Sequence, residues 1–115
     1  MVKARKRVDV HPVGNFEEQV MLAVVRTGND AYGMNVRREL EDVTGRAVTI
    51  GSVYATLDRL EAKALVMSSR VAGPGASSRR VFAVTADGLR ALAETRAQRD
   101  RLWEGIRLQT LLRST

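Results

Sequence analysis

The chain of 115 residues has no cysteine, one histidine and two prolines, and its aromatic residues are one tryptophan, two tyrosines and two phenylalanines. Without cysteine there can be no disulfide, no thiolate nucleophile and no thiolate metal ligand, a pattern that fits a reducing compartment. The one histidine, His11, has only Asp9 close by with ligand chemistry, whereas a metal site needs three or four ligands. No metal and no cofactor is therefore expected. A nucleophile, a base and an orienting group cannot be assembled from this inventory, so the chain does not read as an enzyme. No apolar run approaches the roughly 18 residues needed to cross a bilayer, and the basic opening MVKARKRVDV lacks the apolar stretch of a secretory signal. The expectation is a cytoplasmic protein with no membrane partner. The scarcity of aromatics also disfavours a stacking platform for single-stranded RNA.

Positive charge is what the chain has in excess: 19 Lys and Arg against 13 Asp and Glu. Its placement is uneven. Residues 1–14 carry four basic side chains and one acidic, 15–45 carry three and six, 46–85 six and two, and 86–115 six and four. The excess sits in the first segment and the middle third, which favours an anionic partner such as nucleic acid.

Apolar periodicity predicts three short helices. Asn15 with Glu18 resembles a capping box, and VMLAVV (20–25) is apolar on every side, predicting a deeply buried first helix that Gly28 ends. Asp30 is a candidate cap for a second helix with Tyr32, Val36, Leu40 and Val43 on one stripe, closed by Gly45. Thr49 is a candidate cap for the third, in which Ile50, Val53, Leu57, Leu60 and Ala64 form a seam at about 100° per residue. Roughly opposite lie Ser52, Ala55, Thr56, Arg59 and Lys63, while Asp58 and Glu61 are placed nearer the seam. Strand-forming residues at 65–71 and 79–85 flank the breaker-rich AGPGASS (72–78), predicting a hairpin. Thr85 then caps one long last helix running from about Ala86 to Leu112 despite Gly88 and Gly105.

Three helices followed by a basic hairpin give the order of a winged helix-turn-helix, a mainly α fold with a small β wing, whose third helix enters the major groove. Gly51, Ser52 and Ala55 are small enough to let the backbone approach base edges. Ser52, Thr56, Arg59 and Lys63 have the chemistry to bond to phosphate or bases, and the Tyr54 hydroxyl can reach a phosphate while its ring packs. On the wing, Arg79 and Arg80 are the candidate contacts. The segment KARKR (3–7) is either an arm lying along DNA or a simple tail.

The stretch 31–69, with Tyr32-Gly33, Thr44-Gly45 and the string Gly51 to Glu61 (GSVYATLDRLE), together with RRVFAVTADGLRAL (79–92), resembles the PadR family of bacterial transcriptional regulators. The resemblance implies a homodimeric regulator of double-stranded DNA, most often a repressor, held together by its C-terminal helix and responsive to hydrophobic or aromatic small-molecule effectors. The implied organisation is an N-terminal arm (1–14), a winged-helix domain (15–85) and a dimerisation helix (86–115). On that last segment Leu89, Leu92, Leu102, Trp103 and Ile106 are the candidates for covering the partner subunit or lining an effector pocket, where the indole ring can stack on a flat ligand. Two positions depart from the family pattern. Ala64 stands where a Lys-Gly-Leu glycine is usual, and the tip GPGASSRR replaces a more basic Arg-Gly-Gly sequence. The altered tip keeps open an alternative, a winged helix that binds another protein instead of DNA.

Overall fold

The computed structural model describes residues 11–73 and 78–115; the KARKR segment and tip residues 74–77 lie outside it. Three helices come first: α1 (Asn15–Thr27), α2 (Gly33–Thr44) and α3 (Ile50–Ala62). An antiparallel hairpin follows, β1 (Val66–Ala72) and β2 (Ser78–Val84), then α4 (Ala86–Trp103) and a short α5 (Leu108–Arg113). This is the expected winged arrangement. The ladder pairs Val66 with Val84 and runs out to Ala72 opposite Ser78, so these two residues of the expected tip belong to the strands. A bridge from Tyr32 to Val81, with the Phe82 amide donating to the Ala31 carbonyl at 2.9 Å, ties the hairpin to the start of α2.

Apolar side chains facing one another across these elements explain the packing. Val20, Met21 and Val24 of α1, Val36 and Leu40 of α2, Val53, Leu57 and Leu60 of α3, and Val66 and Phe82 of the hairpin form one core. Removing such side chains from water is the main favourable contribution to folding. Contrary to the reading of α1 as buried all round, Leu22 and Val25 are exposed. Among the described residues, nothing covers that side.

The helix ends show which local signals hold. Gly28 and Gly45 both take positive φ and close α1 and α2. Thr49 and Thr85 cap α3 and α4, accepting from the Ser52 amide at 3.1 Å and the Gly88 amide at 3.0 Å. The start of α1 differs from expectation. Gly14 is its cap, and Glu17, not Glu18, accepts the Gly14 amide at 3.0 Å. Tyr32 rather than Asp30 occupies the cap position of α2.

After α3 the amide of Leu65 donates to the Leu60 carbonyl at 2.9 Å and that of Ala64 to the Glu61 carbonyl at 2.9 Å, with Ala64 at φ 62°. This is a Schellman closure, normally built on glycine. Alanine holds it here at a strain of about 1 kcal/mol.

The long last helix is broken. α4 stops at Trp103, Gly105 turns the chain at φ 80° and the Ile106 amide donates back to the Trp103 carbonyl at 2.9 Å. Its 18 residues span about 27 Å at 1.5 Å each, rather than the roughly 40 Å of an unbroken rod. Gly88 has a different role. A Cβ there would lie 2.1 Å from the Leu65 carbonyl oxygen, so glycine lets α4 touch the root of the hairpin. Thr85 reinforces the junction, donating its amide to Leu65 O at 3.0 Å and its hydroxyl to Ala64 O at 2.8 Å. Further along, Thr95 accepts the Val13 amide at 3.0 Å and Arg99 meets Glu18 at 2.8 Å, so α4 is fastened to the start of α1. Among the described residues no helix is long and apolar enough to cross a membrane.

Candidate nucleic-acid interface

Helix α3 buries Val53, Leu57 and Leu60 completely and leaves Gly51, Ala55, Asp58, Arg59 and Ala62 exposed, with Lys63 just beyond its end. The open face runs along Gly51, Ala55, Asp58 and Ala62, small residues interrupted by one carboxylate that is paired with Arg80. Ser52 sits at its margin, half-buried, with its hydroxyl donating to the Thr49 carbonyl at 2.9 Å.

Two expectations for this helix are overturned. Thr56 is only 2% exposed and is not on the outward face. It lies one turn from both Val53 and Leu60, so it shares the margin of the seam, and its hydroxyl accepts from Arg59 Nη2 at 3.2 Å. Asp58, placed nearer the seam from spacing, is exposed. Tyr54 packs against the core, with ring and hydroxyl over Gly33, where an added Cβ would come within 2.3 Å of the ring. That contact explains the glycine at the start of α2.

The basic side chains are already engaged. Lys63 Nζ lies 2.8 Å from Glu17 Oε2 and Arg59 Nε 3.6 Å from the same oxygen. Burial pushes the Glu17 carboxyl up, but hydrogen bonds from Lys63 and Gly14 and the two cationic charges outweigh it and leave its pKa below the ordinary value. Arg80, expected to reach DNA from the wing, turns inward. It pairs with Asp58 at 2.9 Å and with Glu61, donates to Ser68 at 3.2 Å and lies over the Phe82 ring at 4.8 Å. Bonds from Ser68 and Arg80 lower the pKa of Glu61, and although burial works against it, the carboxylates raise that of Arg80. Arg80 is thus a strut between wing and α3.

Arg79 remains exposed, its guanidinium stacked 4.3 Å from the Tyr32 ring centroid. Arg46 and Arg70 lie outside α3, the first in the link before it and the second on β1. Arg46 borders an open cleft of about 540 Å³ with Asn15, Gln19, Thr49 and Ser52 at the start of α3, and Arg70 lies opposite Arg80 in the ladder. Among the described residues, Arg46, Arg70 and Arg79 make no ion pair and are exposed. Their signal in the sequence is the basic excess of residues 46–85.

Further exposed apolar side chains lie along α4 and α5, with Leu89 in the first turn of α4 and the rest toward its end and beyond it. Leu89, Leu102, Trp103 and Ile106 are exposed, as are Leu108, Leu111 and Leu112 of α5. Leu92, expected among them, is half-buried against the core of its own chain. No group of three or more His, Cys, Asp or Glu side chains among the described residues is arranged to hold a metal ion.

The model of the transcriptional regulator PadR-like family matches residues 21–94, from the middle of α1 through the hairpin into α4. The chain belongs to the PadR-like family. It is similar to the crystal structure of a PadR family transcriptional regulator from Eggerthella lenta, with 31% identity over 84% of this chain and 82% of that one and a TM-score of 0.65. A PadR family regulator from Clostridium difficile shares the fold at 20% identity, covering 84% of this chain and 99% of that one, with a TM-score of 0.63. RosR of H. salinarum does so at 21% identity, over 89% and 92% of the two chains, with the same TM-score. A search of curated proteins returns no match. As a PadR-like transcriptional regulator, the molecule has α3 where the fold carries its recognition helix and the β1–β2 hairpin as its wing.

Proposed function

We propose that this PadR-like regulator is a cytoplasmic, homodimeric repressor that binds a pseudo-palindromic site on double-stranded DNA. The observation that carries the reading is the exposed small-residue edge of α3, Gly51, Ala55 and Ala62, on which Asp58 is neutralised by Arg80 and which Ser52, Arg59 and Lys63 flank. That edge permits close approach of the helix backbone to the floor of the major groove. Ser52, Ala55 and Arg59 then meet bases or the adjoining phosphates, Lys63 and Arg79 meet phosphates, Tyr54 seats α3 against the start of α2, and Arg80 ties α3 to the wing. Two such helices related by a two-fold axis read half-sites about one DNA turn, roughly 34 Å, apart.

The partner subunit covers the apolar residues Leu89, Leu102, Trp103 and Ile106, with α5. A hydrophobic or aromatic effector beside Trp103 changes the angle between the two winged domains. Enrichment of fragments of the source genome on the purified protein tests the reading. An inverted repeat beside a promoter is the expected result, and Arg59→Ala weakens binding to it by about 1–3 kcal/mol.

One observation favours a second reading. The cations of α3 and Arg80 are paired within the chain, as suits a winged helix that docks on a protein. Affinity for duplex DNA that does not change with salt supports that alternative; a linear fall of log affinity with log salt supports DNA.

A further inference from the structure

Glu17 stands in the first turn of α1, yet its carboxylate serves α3. Oε1 accepts the Gly14 amide at 3.0 Å, which fixes the group at one end and leaves Oε2 directed at Lys63 and Arg59. The Glu17 side chain is 11% exposed, whereas those of Arg59 and Lys63 are 55% and 50% exposed. The anion is therefore fixed, while the two cations have room to swing away. To a guanidinium or an ammonium, a carboxylate offers the same kind of anionic oxygen acceptor as a phosphate diester.

We propose that Glu17 is an internal stand-in for a DNA phosphate, an autoinhibitory contact that holds down the affinity for DNA. It occupies Arg59 and Lys63 unless a duplex also engages the edge of α3. The inference rests on the reading of α3 as the DNA-contacting helix. Sequence-independent binding is electrostatic and grows with the number of phosphates neutralised. A protein that withholds two of its cations binds arbitrary DNA weakly. At a matching site the contacts along Gly51, Ser52 and Ala55 supply the free energy that moves both cations from Glu17 to the backbone. The cost of parting the cations from Glu17 is set in the free protein, so it lowers affinity for every duplex and keeps the chain off DNA to which it holds only through phosphates.

The test compares Glu17→Gln with Glu39→Gln. Both remove one negative charge and weaken one ion-pair site, the latter at Arg26 (2.6 Å), away from α3. The carboxamide introduced by Glu17→Gln retains an oxygen that can accept the Gly14 amide. On immobilised heparin Glu17→Gln elutes at higher salt than Glu39→Gln. On a scrambled 20-base-pair duplex it binds about twofold to fivefold tighter per released pair, the value of half-exposed ion pairs. Its log–log salt slope steepens by up to about 2, at about 0.9 for each phosphate gained. Coincident elution of the two variants overturns the proposal. Should Glu17→Gln fail to fold, Glu17→Asp preserves the net charge while retracting the carboxylate, and elution later than wild type is expected; unchanged elution overturns the proposal. The heparin comparison requires no operator, so a chain without sequence preference counts against the reading of function and leaves this result separate.

Discussion

The guanidinium of Arg80, on the second strand, lies 2.9 Å from the carboxylate of Asp58 on the third helix, joining the wing to the helix across 22 positions of sequence. With Glu61 and Ser68 also bound, every guanidinium nitrogen of Arg80 is engaged inside the chain. Arg79→Ala is therefore expected to lower the salt slope of DNA binding by about 0.9, while Arg80→Ala weakens binding with the slope nearly unchanged. Anisotropy titrations at several salt concentrations distinguish the two. Equal loss of slope would restore Arg80 to the DNA contacts.

Ala64 holds a left-handed conformation at φ 62°. Ala64→Gly relieves it and stabilises the fold by about 1 kcal/mol, raising the melting temperature by about 4–8 °C for a domain of this size. Scanning calorimetry reads this directly, and an unchanged or lower melting temperature contradicts it.

On α3 the buried and the open neighbours respond oppositely. Thr56→Val removes an acceptor from Arg59 but nothing from the outward edge, so DNA affinity stays within about threefold, less than the roughly 1.4 kcal/mol of a tenfold change. Ala55→Glu puts a second carboxylate on the exposed edge of α3 and, if that edge enters the groove as proposed, reduces affinity at least about tenfold. Gel shifts on both variants check the orientation of the helix.

The pKa of Glu17 is depressed in the folded chain relative to its ordinary 4.5. Its contribution to stability is present above that value and is lost as pH falls through the folded pKa. Urea midpoints of wild type and Glu17→Gln should therefore differ most above pH 4.5 and converge as the pH falls below it. A gap that widens on acidification has the wrong sign for this account.

Truncation after Arg101 removes Leu102, Trp103, Ile106 and all of α5, leaving the winged domain and most of α4. Sedimentation should then find monomers, against dimers of the full chain on the proposed reading. Persisting dimers would shift the interface toward Leu22, Val25 and Leu89.

Local signals in the sequence are sufficient where structure is decided locally. Thr49 and Thr85 announce their helices, Gly28 and Gly45 end theirs, and the seam of α3 follows from its spacing. What fails depends on neighbours. Periodicity locates a seam, but whether its margin at Thr56 is covered depends on elements packed beside it. Partners of the cations are equally out of reach, since Glu17 and Lys63 are 46 positions apart. Gly88 and Gly105 look alike as glycines within one helical pattern. One is required by contact with Leu65, the other by a positive φ that ends the helix, and only the packed structure separates them. Ala64 stands out by its departure from the family pattern, and the backbone there does adopt the conformation that the usual glycine would take.

The missing side chain at Gly88 leaves no cushion between α4 and the base of the hairpin, and Thr85 bolts the same joint with two hydrogen bonds. A twist imposed on α4 near Trp103 cannot be absorbed there. Because the hairpin is also tied to α2 by the Tyr32–Val81 bridge and to α3 by Arg80, and α4 to the start of α1 by Thr95 and Arg99, the winged domain would turn with α4 as one piece.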